Sequence, residues 1–143
     1  MLRVKHLLES KGPELWSVEA EEPVLEAIQI MADHHVGALP VLRDGQLVGI
    51  ISERDYARKV ILLGRSSAET PVWQIMSSPV VTVGPQDGVR HCMELMTERR
   101  IRHLPVVDED GRMTGVVSIG DLVRAVIEEQ QETIEQLEKF ISG

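Results

Sequence analysis

The stretch 38–58, ALPVLRDGQLVGIISERDYAR, returns at 103–124 as HLPVVDEDGRMTGVVSIGDLVR. The two align at an offset of 65, which becomes 66 after one extra residue in the loop Asp108-Glu109-Asp110-Gly111. Leu39-Pro40-Val41 falls on Leu104-Pro105-Val106, Asp44-Gly45 on Asp110-Gly111, and Gly49 on Gly115. Ser52, Asp55 and Arg58 fall on Ser118, Asp121 and Arg124. Working outward, Met31 matches Met96 and Val18 matches Val83, so the chain carries one supersecondary unit twice.

Inside each copy the hydrophobic period changes in a fixed order. Val24, Ala27, Ile28 and Met31, and again Val89, Cys92, Met93 and Met96, recur at three- and four-residue spacing, which predicts a helix with one buried stripe. Ala38–Leu42 and Leu47–Ile51 are short apolar runs around Arg43-Asp44-Gly45-Gln46, and Asp-Gly between such runs predicts a hairpin. His103–Val107 and Met113–Val117 repeat it, and a further helix is predicted to begin near Ser52 and Ser118. The expected fold class is therefore α+β: two βαββα motifs and a long C-terminal helix. One such unit with a three-stranded sheet buries too little alone, so the two sheets are expected to pack face to face about a pseudo-twofold axis. The expected boundaries are 1–67 for the first motif with an N-terminal helix, 68–127 for the second, and 128–143 for a helical extension.

Composition narrows the function classes. With 43% hydrophobic and 27% charged residues in 143, the chain reads as a folded globular protein. No apolar run is long enough to span a bilayer, and charges interrupt the N-terminal sixteen residues, so a cytoplasmic protein is expected, with no membrane partner. A net charge of −8 disfavours nucleic acid as a partner. Two basic islands stand against that balance: Arg54, Arg58, Lys59 and Arg65, then Arg90, Arg99, Arg100, Arg102 and His103. They suit a small anionic ligand. The lone Cys92 has no disulfide partner in the chain and is expected to be buried.

The order of elements, the doubled Leu-Pro-Val strand, and Gly49-Ile50-Ile51-Ser52-Glu53-Arg54-Asp55 beside Gly115-Val116-Val117-Ser118-Ile119-Gly120-Asp121 resemble tandem CBS (cystathionine-β-synthase) domains, a Bateman module. The resemblance covers residues 1 to 127. It includes Thr70–Met76 leading into Ser78–Val83, similar to the segment that opens a second CBS motif. It implies an adenosine-containing ligand, AMP, ATP, NAD(H) or S-adenosylmethionine, in clefts between the motifs, a regulatory role, and no catalytic cofactor.

The chemistry of Ser-x-x-Asp stands beside that resemblance. A carboxylate accepts two hydrogen bonds from the cis hydroxyls of a ribose, and such charge-assisted bonds are strong. Asp55 and Asp121 suit this role, each in a first helical turn whose free N–H groups favour phosphate. Ser52 and Ser118 can add a hydroxyl. The same spacing is also a helix-capping box, which needs no ligand. Arg54 and Arg58 are expected phosphate partners, and Gly120 in place of Arg54 makes the Asp55 site the more cationic of the two. Arg102 and His103 are expected to reach phosphate, as the resemblance implies. Their counterparts Gly37 and Ala38 let a ligand approach the backbone. Adenine is expected among Val83 beside Thr82, Val36, Ile51 and Val117.

Other residues point elsewhere. His34 and His35 diverge around a helix and make a poor metal pair. Met31, Met93 and Met96 are expected to fill the core, and Trp16 and Trp73 to anchor linkers onto it. No nucleophile, base and orienting group fall together, so an enzyme is not expected. Ile127, Ile134 and Ile141, with Val123 and Leu137 between them, form a narrow seam interrupted by Gln130. That seam predicts pairing across a homodimer. The functions expected are a nucleotide sensor acting on an unidentified regulated protein or, alternatively, a ligand-free structural dimerisation module.

Overall fold

Asp44 and Gly45 both take positive φ, 51° and 78°, and turn strand β2 (Ala38–Arg43) back into β3 (Gln46–Ser52). This two-residue turn matches the twist of an antiparallel pair, and only glycine adopts its second position without strain. Gly45→Ala should therefore cost about 1 kcal/mol, read as a lower urea midpoint with an unchanged slope. The computed structural model describes residues 2–142. They form two units, Leu15–Val81 and a second made of the residues up to Glu14 and those from Thr82.

In the Leu15–Val81 unit, the pairing runs Ala38↔Ser52, Leu39↔Ile51 and Val41↔Gly49, with an irregularity after Val41. Strand β1 (Val18–Glu19) lies parallel to β2 on its other edge, giving the expected three strands in order β1-β2-β3. Helix α2 (Val24–His34) buries Val24, Ala27 and Met31, the stripe read from the sequence. They meet Leu39, Val41 and Ile51 from the sheet and Val60, Val72 and Ile75 from later segments. Removing such side chains from water contributes about 1.5–3 kcal/mol each. The helix ends at His35, which takes φ 54° and donates its N–H to the Met31 carbonyl. After Ser52 comes α3 (Glu53–Tyr56), which passes at once into a π-helical turn, Ala57–Ile61.

The other unit repeats the plan with one shortening. Helix α4 (Val89–Arg99) buries Val89, Cys92 and Met96 and ends on Arg100 at φ 54°, matching His35 at the offset of 65. Strands β4 (His103–Val107) and β5 (Met113–Ser118) pair antiparallel, His103↔Ser118 through Val107↔Met113. The expected third strand is reduced to a single parallel bridge, Val83↔Val106. Beyond Val83 the chain turns, with Asp87 accepting from the Gly84 N–H at 2.7 Å, so pairing stops. Helix α5 (Ile119–Ser142) follows for 24 residues, about 36 Å.

Helix α1 (Val4–Lys11), which precedes the first motif in sequence, packs with the residues from Thr82 onward. Val4 and Leu7 are buried, and Val4 and Lys5 donate backbone N–H groups to Asp87 and Pro85. The repeated glycines explain the docking. A Cβ on Gly115 would sit 2.6 Å from the Leu8 side chain, and one on Gly49 would overlap Met76. Each unit is thus covered by the segment that precedes the other motif.

Trp16 stacks on His34, ring centroids 3.5 Å apart, and packs on the core as expected. Trp73 does not: its side chain is exposed, and the segment is held by its backbone N–H to Ala20. Met31 and Met96 are buried, while Met93 is only partly so. No helix among the described residues is long and apolar enough to cross a membrane.

Candidate functional site

Both Ser-x-x-Asp elements start a helix, and both carboxylates turn back onto the helix start. Asp55 Oδ2 accepts from the Ser52 N–H at 2.9 Å and from Ser52 Oγ at 3.0 Å, while the Asp55 N–H donates to Ser52 Oγ at 3.1 Å. Asp121 Oδ2 accepts from the Ser118 N–H at 2.8 Å, and the Asp121 N–H donates to Ser118 Oγ at 3.2 Å. The capping box is real in both copies.

The other contacts come from side chains. Asp55 Oδ1 pairs with Lys59 Nζ at 3.0 Å and accepts from Ser77 Oγ at 3.4 Å. Asp121 Oδ1 takes Arg124 at 3.0 Å, and its Oδ2 takes Lys11 Nζ at 2.9 Å, an ammonium that also donates to the Val116 carbonyl at 2.7 Å. Lys59 lies one turn beyond Asp55 and was legible as an i,i+4 pair. Lys11 has no local signal, being 110 residues from its partner.

Electrostatics follow from these contacts. Burial raises the Asp121 carboxyl, but the Ser118 backbone hydrogen bond and the hydrogen bond and charge of Lys11 outweigh it and hold it below the ordinary 3.8. Burial, then the charges of Lys11 and Arg102, lower His103 below 6.5, against the opposing pull of Asp121. Burial first, then the Asp87 charge, pushes the Cys92 thiol up to about 11, so it is an inert core residue at neutral pH.

The expected residues fall into clusters inside each unit. Val36, Gly37 and Ala38 lead into β2 beside Ser52: the Gly37 carbonyl accepts from the Glu53 N–H at 3.1 Å, and Ala38 pairs with Ser52. Arg102 and His103 repeat this, with the Arg102 carbonyl accepting from Ile119 at 2.9 Å and His103 paired with Ser118. Thr82 and Val83 do not join that cluster, since Val83 is in register with Val106 and not with the His103 end of the strand. Ile51 and Val117 are wholly buried, and their side chains pack in the core. Arg54 and Arg58 are exposed. At the carboxylates themselves Asp55 holds one cation and Asp121 two.

Beside Asp121 lies a cavity of about 280 Å³, lined by Leu2, His6 and Lys11 on one side and Asp121, Arg124 and Glu128 on the other. A wider groove of about 530 Å³ in the other unit is lined by Met31, His35, Val36, Gly37, Glu53 and Tyr56. Among the described residues, no group of three or more His, Cys, Asp or Glu side chains is placed to hold a metal ion.

A family model described as CBS domain matches residues 7–61 and again 72–128. The CBS domain-containing protein CBSX3 of Arabidopsis thaliana, named as mitochondrial, is 43% identical over 150 residues, 98% of this chain and 72% of its own. A solved CBS-domain protein from Burkholderia ambifaria MC40-6 is 44% identical with a TM-score of 0.85, the match covering 90% of this chain and 96% of that one. The CBS domain pair of the protein MJ0100, solved with 5′-methylthioadenosine and S-adenosyl-L-methionine, is 27% identical at a TM-score of 0.79, covering 90% and 98%.

Proposed function

Because the chain belongs to the CBS-domain family, with two copies in tandem, we propose that it is a regulatory module and not an enzyme, one that takes an adenosine-containing ligand at its helix-starting carboxylates. AMP, ATP and NAD(H) are the ligands proposed, and an unidentified protein responds to their binding. One observation carries the reading: a Ser-capped aspartate begins a helix at the same point of both copies, with its Oδ1 held by side chains and not by backbone. Lys59 and Arg124 are 43% and 68% exposed, so each cation is solvated when a ribose takes its place on the carboxylate. The helix N-terminus then faces the phosphate. A relative solved with methylthioadenosine and S-adenosylmethionine supports the adenosine part of the ligand.

The internal partners already held by both carboxylates favour a second reading, a ligand-free structural module. Thermal shift against AMP, ADP, ATP, NAD, NADH and S-adenosylmethionine separates the two. A ligand at 100 times its Kd adds about 2.7 kcal/mol if it binds only the folded state. A shift with at least one, lost when both aspartates become alanine, is the expected result; none from any of the six leaves the structural reading.

We infer further that the module works as a homodimer. From Ile127 to Ser142, helix α5 is exposed on every side, and Ile127, Ile134 and Leu137 are each more than half exposed. Isoleucine at one heptad position with leucine at the other suits a two-stranded pair, and Glu128, Glu129, Glu132 and Glu135 fall outside the seam.

A further inference from the structure

The Asp121 carboxylate offers about four acceptor positions, two on each oxygen. On Oδ2 the Ser118 N–H and the Lys11 ammonium occupy both, and on Oδ1 Arg124 occupies one. The Ser118 donor is backbone at the start of α5 and cannot leave while the helix stands. A diol that bridges the two oxygens therefore needs the place held by Lys11. The displaced ammonium keeps only the Val116 carbonyl, at a position 41% exposed, and so loses a charge-assisted bond. A neutral ligand gives it nothing in return. A ligand with its own anion re-pairs it, beside an Arg124 freed by the same event and lining the same cavity.

We propose that Lys11, carried on α1, makes the Asp121 site selective for a phosphorylated adenosine, AMP before adenosine or 5′-methylthioadenosine, by leaving the carboxylate for the phosphate when the ribose binds. The proposal rests on the ligand reading above and adds to it a residue and a class of ligand. Neither comes from the local motif, because Lys11 lies outside the repeat. Asp55 has no equivalent: its ammonium comes from Lys59 on its own helix, and it is held on Oδ1.

Isothermal titration of AMP, adenosine and methylthioadenosine into the whole chain tests it, with Lys11→Met, Lys11→Arg and Asp121→Ala beside the wild type. Breaking a charge-assisted bond corresponds to about tenfold in affinity. Wild type is expected to prefer AMP to adenosine by at least that factor. Lys11→Met should bind adenosine more tightly and AMP more weakly, narrowing the preference about tenfold or more, and Lys11→Arg should restore it. If Asp121→Ala loses AMP but Lys11→Met keeps the wild-type preference, the Lys11 assignment falls and the ligand reading stands. If AMP and the nucleosides bind neither wild type nor Lys11→Met, both fall. Nucleoside binding by Lys11→Met alone supports the proposal, since it means the lysine had closed the carboxylate entirely.

Discussion

Asp121→Ala is expected to weaken the proposed ligand site and to cost about 2–4 kcal/mol of stability together. The carboxylate is 7% exposed and receives a backbone N–H, an ammonium and a guanidinium. Truncation removes the helix cap and strands Lys11 against the Val116 carbonyl; a lost cap costs about 0.5–2 kcal/mol and a broken part-buried pair adds to it. The pH dependence gives an independent check. The folded-state pKa is depressed, so the stability it contributes is fully present above the unfolded carboxyl value near 3.9 and drains away as pH falls through the lower folded value. Urea midpoints measured from pH 7 to pH 2.5 should show a loss below about pH 4 in wild type that is shallower in Asp121→Asn. An acid limb of equal depth in Asp121→Asn would show that the charge contributes nothing and that the bonds to it are incidental. Asp55→Ala should cost less, because its cation is an exposed neighbour on the same helix.

The contrast between these two aspartates marks where the sequence was readable. Repeat spacing, hairpin turn and helix stripes are local properties, and each appears in the structure within a residue or two of its expected position. Leu39-Pro40-Val41 and Leu104-Pro105-Val106 read as strands from their apolar neighbours and the Asp-Gly turn that follows, although a proline disfavours a central strand and β2 is the middle one of three. The Ser-x-x-Asp cap was legible for the same reason. What completes the Asp121 site is not local: Lys11 arrives on α1, which docks because Gly115 leaves room for Leu8. Nothing within twenty residues of Asp121 announces that contact, and α1 was accordingly assigned to the motif it precedes in sequence. Trp73 shows the opposite limit, since a large apolar residue in a linker invites burial while its neighbours Val72 and Ile75 supply the buried side chains of that segment. Ile51 and Val117 show a further limit. Alternation along a strand places both on one face, but whether that face meets a ligand or a helix is decided by what packs above it, and here it is the core.

Ending the chain after Glu129 should convert a dimer to a monomer while leaving each unit folded. Residues 130–142 are exposed in the isolated chain, so the truncation should shift unfolding by no more than about 0.5 kcal/mol under conditions where the chain is already monomeric. Their seam is another matter. Ile127, Ile134 and Ile141 repeat every seven residues, and the positions flanking the seam carry Gln131, Thr133, Glu138 and Phe140, so no pair of like charges faces across a parallel pairing. Gln130 is the one polar residue in the seam, and a single buried amide of this kind fixes register at a cost in stability. Gln130→Leu should therefore tighten the dimer, whereas Ile134→Glu in two facing helices should separate it as the truncation does. Sedimentation equilibrium over a hundredfold range of concentration measures all three. A truncated chain that stays dimeric would place the pairing surface away from α5, and a wild type that is monomeric throughout would leave the seam without a second copy to cover it.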